Sequence, residues 1–209
     1  MQVTAAPEQK LVIGRNVTHR FGDSPALFAG VDFILVPNRI YALTGPSGSG
    51  KSTLLSLIAG WLDPTSGAIS RVNIRSIAWV FQNPHGVANR TALDHVALPL
   101  LARGMRHAAA RAQALERLAK VGLASVSAAP FRELSGGEAQ RLMLARGMAS
   151  RPDVLLVDEP TAQLDNRTGQ SVNDAIATIA DDGTIVVVAT HDARTREACT
   201  DLIELGRSA

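Results

Sequence analysis

A glycine-rich segment carries the strongest chemical signal in the sequence, and it reads Gly45-Pro46-Ser47-Gly48-Ser49-Gly50-Lys51-Ser52. This spacing fits the phosphate-binding loop, in which glycines let backbone N–H groups turn inward around phosphate oxygens. Lys51 can reach the terminal phosphates, the Ser52 hydroxyl can bind Mg²⁺, and Thr53 can add a phosphate contact. A chance glycine-rich turn is the alternative, but the chain has only three lysines, which makes an accidental match rare.

Two acidic residues end an apolar run in Val154-Leu155-Leu156-Val157-Asp158-Glu159. The run predicts a buried strand, and parallel sheets bind ligands at the carboxyl ends of their strands. Asp158 suits Mg²⁺ binding, directly or through water, and Glu159 suits polarisation of a water for in-line attack on a phosphate. Acidic pairs in loops are usually just solvated, but this position after an apolar strand favours the functional interpretation.

A second glycine pair opens a predicted helix in Leu134-Ser135-Gly136-Gly137-Glu138. Its hydroxyl and N–H groups at a positive helix end could bind a phosphate. A serine followed three residues later by a glutamate is also ordinary helix capping. Taken alone the segment favours capping, and together with the other two motifs it favours phosphate binding.

One of the five histidines stands at a position where chemistry is expected. His191 follows the apolar run from Thr184 to Ala189, which predicts a strand. At the end of that strand it could contact a terminal phosphate. Elsewhere a single histidine would be interpreted as a surface or packing residue.

The segments that must position these residues alternate between strand and helix patterns. Two early strands are predicted on either side of the turn-rich stretch Phe21 to Pro25. A middle block rich in Ala, Leu and Arg predicts a small helical lobe. The predicted strands are Val12–Thr18, Arg39–Thr44, Ile74–Phe81, Val154–Val157 and Thr184–Ala189, and the predicted helices are Ser52–Trp61, Thr91–Arg103, His107–Val121, Glu138–Ser150 and about Thr168–Ala180. Such alternation predicts an α/β domain with a mostly parallel, covered sheet.

Composition excludes several classes of protein. A chain of 209 residues with 46% hydrophobic and 19% charged residues predicts one compact domain. Its apolar runs are too short to span a membrane, and Met1 to Lys10 lacks a secretory signal, so the cytoplasm is expected. The single cysteine, Cys199, is expected to be a packing residue. A net charge of +2 gives no case for direct nucleic acid binding.

With these motifs in hand, the chain resembles the ATP-binding cassette (ABC) family over nearly its whole length. The family's Walker A, glutamine loop, signature, Walker B, D-loop and switch histidine appear in order. The resemblance implies a P-loop NTPase, RecA-like core at about residues 1–82 and 151–209, with an inserted α-helical subdomain at about residues 83–150. The stretch from Gly67 to Gln82 is short for the family, which implies a shortened antiparallel β-arm.

The resemblance also assigns roles residue by residue. Gln82 is similar to the glutamine-loop residue, Ser135 to Glu138 to the signature, Asp165 to the end of the D-loop, and His191 to the switch histidine. Phe21 resembles the aromatic residue that stacks on adenine. Glu138 stands where the signature more commonly has glutamine, a variant that should leave the serine and glycine contacts intact.

The implied activity is ATP hydrolysis that powers transport. The resemblance implies that the catalytic residues are Lys51, Gln82, Glu159 and His191, and that Ser52, Gln82 and Asp158 bind Mg²⁺. In the family, the signature of one subunit contacts the ATP held by the Walker A loop of the other. The expected partners are therefore a second copy of the chain and a transmembrane permease, docked in a groove near Gln82 at the cytoplasmic face of the membrane.

The segment Thr91 to Leu100 resembles cassettes of the macrolide, lipoprotein and haem exporters. A non-transport cassette ATPase of DNA repair, chromosome maintenance or translation is the competing class. Such an ATPase would need coiled coils, zinc modules or a second cassette, which the sequence lacks. A cassette that dimerises without turnover is a third class, and Glu159 and His191 count against it.

Overall fold

A computed structural model describes residues 9–178 and 183–206 and shows an α/β fold with two sheets. The strands in the described residues are β1 (Leu11–His19), β2 (Phe28–Leu35), β3 (Arg39–Thr44), β4 (Ser66–Val72), β5 (Ile77–Val80), β6 (Val154–Asp158), β7 (Ile185–Ala189) and β8 (Asp201–Glu204). A five-stranded parallel sheet has the order β5-β6-β7-β3-β8, and a three-stranded antiparallel sheet has the order β2-β1-β4. The expected mostly parallel core and a small antiparallel arm are confirmed.

Helices cover the parallel sheet and fill the middle of the chain. Those in the described residues are α1 (Lys51–Ala59), α2 (Ala92–Ala102), α3 (His107–Lys120), α4 (Gly136–Ala149), α5 (Asn166–Ala177) and α6 (Ala193–Glu197). The last two residues of the helix predicted up to Ala180 lie outside the described residues, as does most of the segment Met1 to Lys10. None of the helices in the described residues combines the length and the apolar character that a membrane span requires.

The strands β6 and β7 form the centre of the parallel sheet because their side chains are apolar on both faces. Val154 and Leu156 pack into the cluster shared with α1 and the antiparallel sheet. Leu155 and Val157 point to the opposite cluster, which includes α2, α3 and α4. Strands buried on both faces read as continuous apolar runs. Because the strands are parallel, the segments after β3, β5, β6 and β7 all lie at one edge.

The middle helices pack on one face of the parallel sheet. Their apolar side chains belong to the same hydrophobic cluster as Leu155, Val157 and Val186 of the sheet. The side chain of Thr91 caps α2 by accepting a hydrogen bond from the Asp94 amide at 3.1 Å. The division of the chain at about residues 83 and 150 stays a prediction.

The sequence patterns missed β2, β4 and β8. The alternation of β2 is irregular, since Ile34 is 62% exposed while Phe28 and Leu35 are buried. Irregular pairing in β1, where Asn16 has a positive φ of 49°, shifts the register with both neighbours. The helix predicted to reach Trp61 ends two residues earlier, because Gly60 takes the left-handed conformation and closes α1.

Candidate active site

The glycine-rich loop joins β3 to α1 and is shaped by close approaches that only glycine allows. A Cβ atom on Gly50, whose φ is 91°, would lie 2.8 Å from the ring of Phe28. A Cβ atom on Gly45 would lie 2.6 Å from the Ser49 hydroxyl. No side chain caps the N-terminus of α1. Its first amide groups are therefore available to an anion, which the helix dipole also attracts.

A cavity of about 310 Å³ lies against this loop. Its walls come from the loop and the start of α1, together with Leu27 and Glu159. The loop residues that line it are Ser47, Gly48, Gly50, Lys51, Ser52 and Thr53. The phosphate-loop residues and the acidic residue predicted from separate motifs thus share one cavity.

Glu159 links the predicted lysine and histidine. Its Oε1 lies 3.4 Å from Lys51 Nζ, and its Oε2 lies 2.8 Å from His191 Nδ1 and accepts a 3.3 Å hydrogen bond from the His191 amide. Lys51 also donates to the carbonyl oxygens of Gly45 and Pro46, at 3.1 and 3.4 Å. The lysine and the glutamate are largely buried, whereas His191 is 63% exposed. The carboxylate is therefore held in place before any ligand enters.

The backbone at Glu159 is held in a conformation that non-glycine residues rarely adopt, with a φ of 43°. Its amide donates to the carbonyl of Ala189 at the end of β7, at 2.9 Å. Strained residues of this kind are common at functional sites, where the surrounding structure compensates for the strain. With this backbone conformation, Glu159 lines the cavity directly after the end of β6.

Asp158 is suited to a metal ion. Burial raises the pKa of its carboxyl, and the charge of Glu159 adds to that effect, while a hydrogen bond from the Ser52 side chain and the charge of Lys51 oppose it. Its Oδ1 is buried and has no hydrogen-bond partner among the described residues. A buried, unpartnered carboxylate oxygen beside a hydroxyl fits the oxygen ligands that Mg²⁺ requires. Among the described residues, no group of three or more His, Cys, Asp or Glu side chains is arranged to hold a metal ion.

Gln82 and Phe21 are not among the residues that line the cavity. Gln82 is exposed and follows β5, the neighbour of β6 in the sheet. Phe21 is 53% exposed on the loop after β1, and its ring meets the His19 imidazole edge-on at 4.8 Å. An exposed ring that is fixed on one side is a suitable surface for a flat base.

The signature turn lies away from these residues and caps its own helix. The Ser135 Oγ is 2.7 Å from Glu138 Oε2, and that carboxylate also accepts from the Ser135 amide at 2.9 Å. These hydrogen bonds lower the pKa of Glu138. The turn is therefore a complete capping box, and none of its residues lines the loop cavity.

Asp165 caps the next helix. Its Oδ1 accepts from the amides of Arg167 and Thr168, and its Oδ2 accepts from the Thr168 hydroxyl at 2.7 Å. Thr168 also packs on the signature, because its Cγ2 occupies the space that a Cβ atom on Gly137 would need. The structure thus brings the signature and Asp165 together, and brings Lys51, Glu159 and His191 together at a separate place.

Sequence reasoning missed several residues that shape these sites. Leu27 lines the cavity, and Phe28 supports Gly50. Trp61 and Trp79 stack at 4.6 Å beside Phe81, next to a groove of about 490 Å³ between β5, α2 and α4. The alternation of Trp79 and Phe81 is the sequence signal that could have placed both rings on one face of a strand.

Comparison with known proteins agrees with this geometry. The ABC transporter family matches residues 28–162. The lipoprotein-releasing system ATP-binding protein LolD of Bordetella avium is 40% identical over 179 residues, which are 78% of this chain and 77% of that protein. The macrolide export ATP-binding/permease protein MacB of Rhodopseudomonas palustris is 36% identical over 191 residues, which are 84% of this chain and 29% of that protein.

A solved structure shows the same fold. The dimeric post-hydrolysis state of the ATP-binding cassette MJ0796, bound to ADP and Pi, has a TM-score of 0.76 and 31% identity, and the match covers 93% of this chain and 94% of that one. The expectation of a cassette similar to those of macrolide and lipoprotein exporters is confirmed. This chain belongs to the ABC transporter family, as an ATP-binding subunit.

Proposed function

We propose that two copies of this chain enclose two ATP molecules and that hydrolysis of the ATP drives a separate permease. The observation that carries the proposal is the arrangement of Glu159 between Lys51 and His191, beside a loop whose helix has no side-chain cap. An uncapped helix end next to a lysine suits a polyphosphate. A fixed carboxylate at the mouth of the same cavity suits activation of water.

In the proposed reaction, Glu159 orients a water molecule in line with the terminal phosphorus of ATP. The water oxygen forms a bond to phosphorus as the bond to the ADP oxygen breaks, and the water proton passes toward the carboxylate. His191 holds Glu159 through the 2.8 Å contact and can donate to the departing phosphate. Lys51 moves from its carbonyl partners to the phosphate oxygens.

The proposed metal ligands are Asp158, Ser52 and Gln82. A bound Mg²⁺ would neutralise charge on the triphosphate. Support comes from the unpartnered Oδ1 of Asp158 beside the Ser52 side chain. Phe21 is proposed to stack on the adenine, with its ring supported by His19.

The second copy is proposed to supply the signature, Ser135 to Glu138, and Asp165. These residues contribute nothing to the loop cavity of their own chain. The structure of the MJ0796 cassette, which is a dimer bound to ADP and Pi, supports the association of two copies. Dissociation after hydrolysis would then follow from loss of the phosphate contacts between the two copies.

The permease is proposed to dock in the groove formed by β5, α2 and α4, at the cytoplasmic face of the cell membrane. Phe81, Pro99, Met143 and Arg146 line the groove, which gives it apolar walls and a positive charge. Such walls suit an amphipathic helix of the partner. The segment of residues 83–150, proposed as a helical subdomain, would carry the motion from Gln82 to that helix.

A mixing experiment tests the composite site. Lys51→Ala removes the phosphate lysine, and Ser135→Arg blocks the signature, so each variant alone should lose almost all ATPase activity. A heterodimer of the two keeps one site with intact Lys51 and intact Ser135, so mixing should restore up to about a quarter of the wild-type rate. Phosphate release is measured as a function of mixing ratio. Melting curves confirm that each variant is folded, and a mixture with no more activity than its components would refute the dimer proposal.

A further inference from the structure

The backbone that follows β5 has no regular structure and is held by side chains of two helices. On the α4 side, Gln140 donates to the carbonyl of Phe81 at 3.3 Å, and Arg146 donates to the carbonyl of His85 at 3.4 Å. On the α2 side, the amide of Val87 donates to Nε2 of His95 at 2.9 Å. The groove wall next to Gln82 is therefore positioned by tertiary contacts and not by a strand or a helix.

The side chain of His95, on α2, is buried, with 4% of its surface exposed. Its Nδ1 lies 2.8 Å from the carbonyl oxygen of Thr91. Because Nε2 accepts from Val87, the proton of the neutral ring is on Nδ1 and is donated to Thr91. The ring also lies 5.4 Å from that of Phe131. Both nitrogens are used, and the ring is fixed from two directions.

The segment beyond Val87 is fastened independently. The amide of Arg132 donates to the carbonyl of Ala88 at 3.1 Å, and the amide of Phe131 donates to the carbonyl of Arg90 at 2.9 Å. A Cβ atom on Gly86 would lie 2.5 Å from the Phe131 ring, so the chain just before Val87 is closely packed. In the described part of the chain, the hydrogen bond to His95 is the one contact that holds the Val87 amide.

Val87 is an apolar side chain presented to solvent, with 58% of its surface exposed. Val87 follows the groove residue His85 by two positions, and Phe81, which also lines the groove, is 49% exposed. We propose that His95 is a positioning residue that holds Val87 in place as a preformed apolar contact for the permease. This inference rests on the proposed docking of the permease in the groove. A contact that is already ordered reduces the entropic cost of binding the permease. It would therefore strengthen the stimulation of ATP hydrolysis by the permease, although His95 does not touch the ATP site.

The test uses two substitutions of the same residue. His95→Leu removes both hydrogen bonds, whereas His95→Gln can place an amide oxygen near the position of Nε2 and accept from Val87 again. Amide hydrogen exchange at Val87 is measured on the full chain, and ATP hydrolysis is measured with and without the co-purified permease. His107→Leu, at an exposed histidine at the start of α3, is the matched control.

We expect His95→Leu to speed exchange at Val87 by about threefold to tenfold, as loss of one hydrogen bond implies. Stimulation of ATP hydrolysis by the permease should fall by a similar factor, while the rate without permease stays within about twofold. His95→Gln should restore both values. Unchanged exchange in His95→Leu, or full stimulation despite faster exchange, would overturn the role of His95. A wild-type chain that no permease stimulates would refute the proposed docking, and with it this inference, whatever the exchange data show.

Discussion

Two helices of this protein begin at glycine-rich turns, and they begin in opposite ways. The first amides of α1 have no side-chain cap, and the lysine beside them contacts loop carbonyls and Glu159. At α4, Ser135 and Glu138 cap each other completely. The first amide groups of α1 can therefore bind a ligand held by the same chain. At the start of α4, the hydrogen-bonding groups of Ser135 and Glu138 already bind each other.

The two helix ends would bind a phosphate group under different conditions. At α1 it would take over Lys51 from carbonyl partners and meet amides that nothing else caps. At α4 it would have to share the Ser135 hydroxyl with a carboxylate 2.7 Å away. The uncapped end of α1 can bind a phosphate through its first amides. At the capped end of α4, the Ser135 hydroxyl and the Glu138 amide already bind each other, so we expect this end to contact a phosphate that is already bound to another surface. This agrees with the proposal that the signature of one copy contacts ATP bound to the glycine-rich loop of the other.

The largest expected effect comes from Glu159→Gln, which removes the proton acceptor but preserves shape. ATP turnover should fall by about 10²- to 10⁴-fold, as for loss of a general base. Binding should persist, and the ATP-bound dimer should accumulate in light-scattering measurements. Glu138→Gln makes the same chemical change at the capped turn, and its turnover should stay within about threefold of wild type. Equal losses of ATP turnover in the two variants would contradict the different roles of the two helix ends.

The next effect concerns the lysine at the uncapped helix. Lys51→Ala removes a charged hydrogen-bond donor to phosphate, which is worth about 1.5–3 kcal/mol. Affinity for ATP should therefore fall by about 10- to 100-fold in a calorimetric titration. Lys120→Ala, at an exposed lysine at the end of α3, should leave affinity unchanged. Undiminished binding by Lys51→Ala would contradict the assignment of the loop.

A smaller effect concerns the stability of the capped turn, where alanine substitutions at its two glycines should differ in their cost. In Gly137→Ala the new methyl group clashes with Thr168 Cγ2, so either the Thr168 side chain or α5 must shift. In Gly136→Ala the nearest atom is Leu164 Cδ2 at 3.6 Å, an ordinary contact. The free energy of unfolding should fall by about 1–3 kcal/mol for Gly137→Ala, as in overpacked cores, and change by less than about 1 kcal/mol for Gly136→Ala. Chemical denaturation measures both, and equal values would refute the close packing of signature and α5.

The smallest effect is a pH dependence of opposite sign in the two regions. Burial raises the pKa of Asp158 above its ordinary 3.8, so its ionisation costs stability as pH rises through the folded-state pKa. Hydrogen bonds from Ser135 lower the pKa of Glu138 below its ordinary 4.5, so its contribution is present at neutral pH and is lost as pH falls through the folded-state pKa.

At pH 7, without Mg²⁺ or nucleotide, Asp158→Asn should raise the free energy of unfolding by about 1 kcal/mol, because it removes a carboxylate charge that burial disfavours and whose Oδ1 has no hydrogen-bond partner among the described residues. Glu138→Gln should lower it by about 0.5–1 kcal/mol, because the capping box is weakened. Both differences should shrink as the pH approaches 4. Urea denaturation across that pH range checks the signs, and two differences of the same sign would be incompatible with the two environments.

Much of this molecule follows from local sequence. The motif from Gly45 to Ser52 could be recognised from its own glycines, its lysine and the helix pattern after it. The runs at β6 and β7 are apolar throughout, so they had to be central strands. In contrast, β2 could not be recognised, because its alternation is broken where β1 changes register.

The residue types and their spacing were enough to predict four of the five strands of the parallel sheet. They also predicted the edge at which its loops meet and the chemical kinds of group placed there. Only the tertiary structure decided that Glu159 contacts both Lys51 and His191, that Ser135 is held by Glu138, and that His95 secures Val87. Those contacts join residues whose side-chain directions depend on how separate strands and helices pack. Local patterns specify which face of an element is buried, but they carry no information on the distance between two side chains that different elements present to each other.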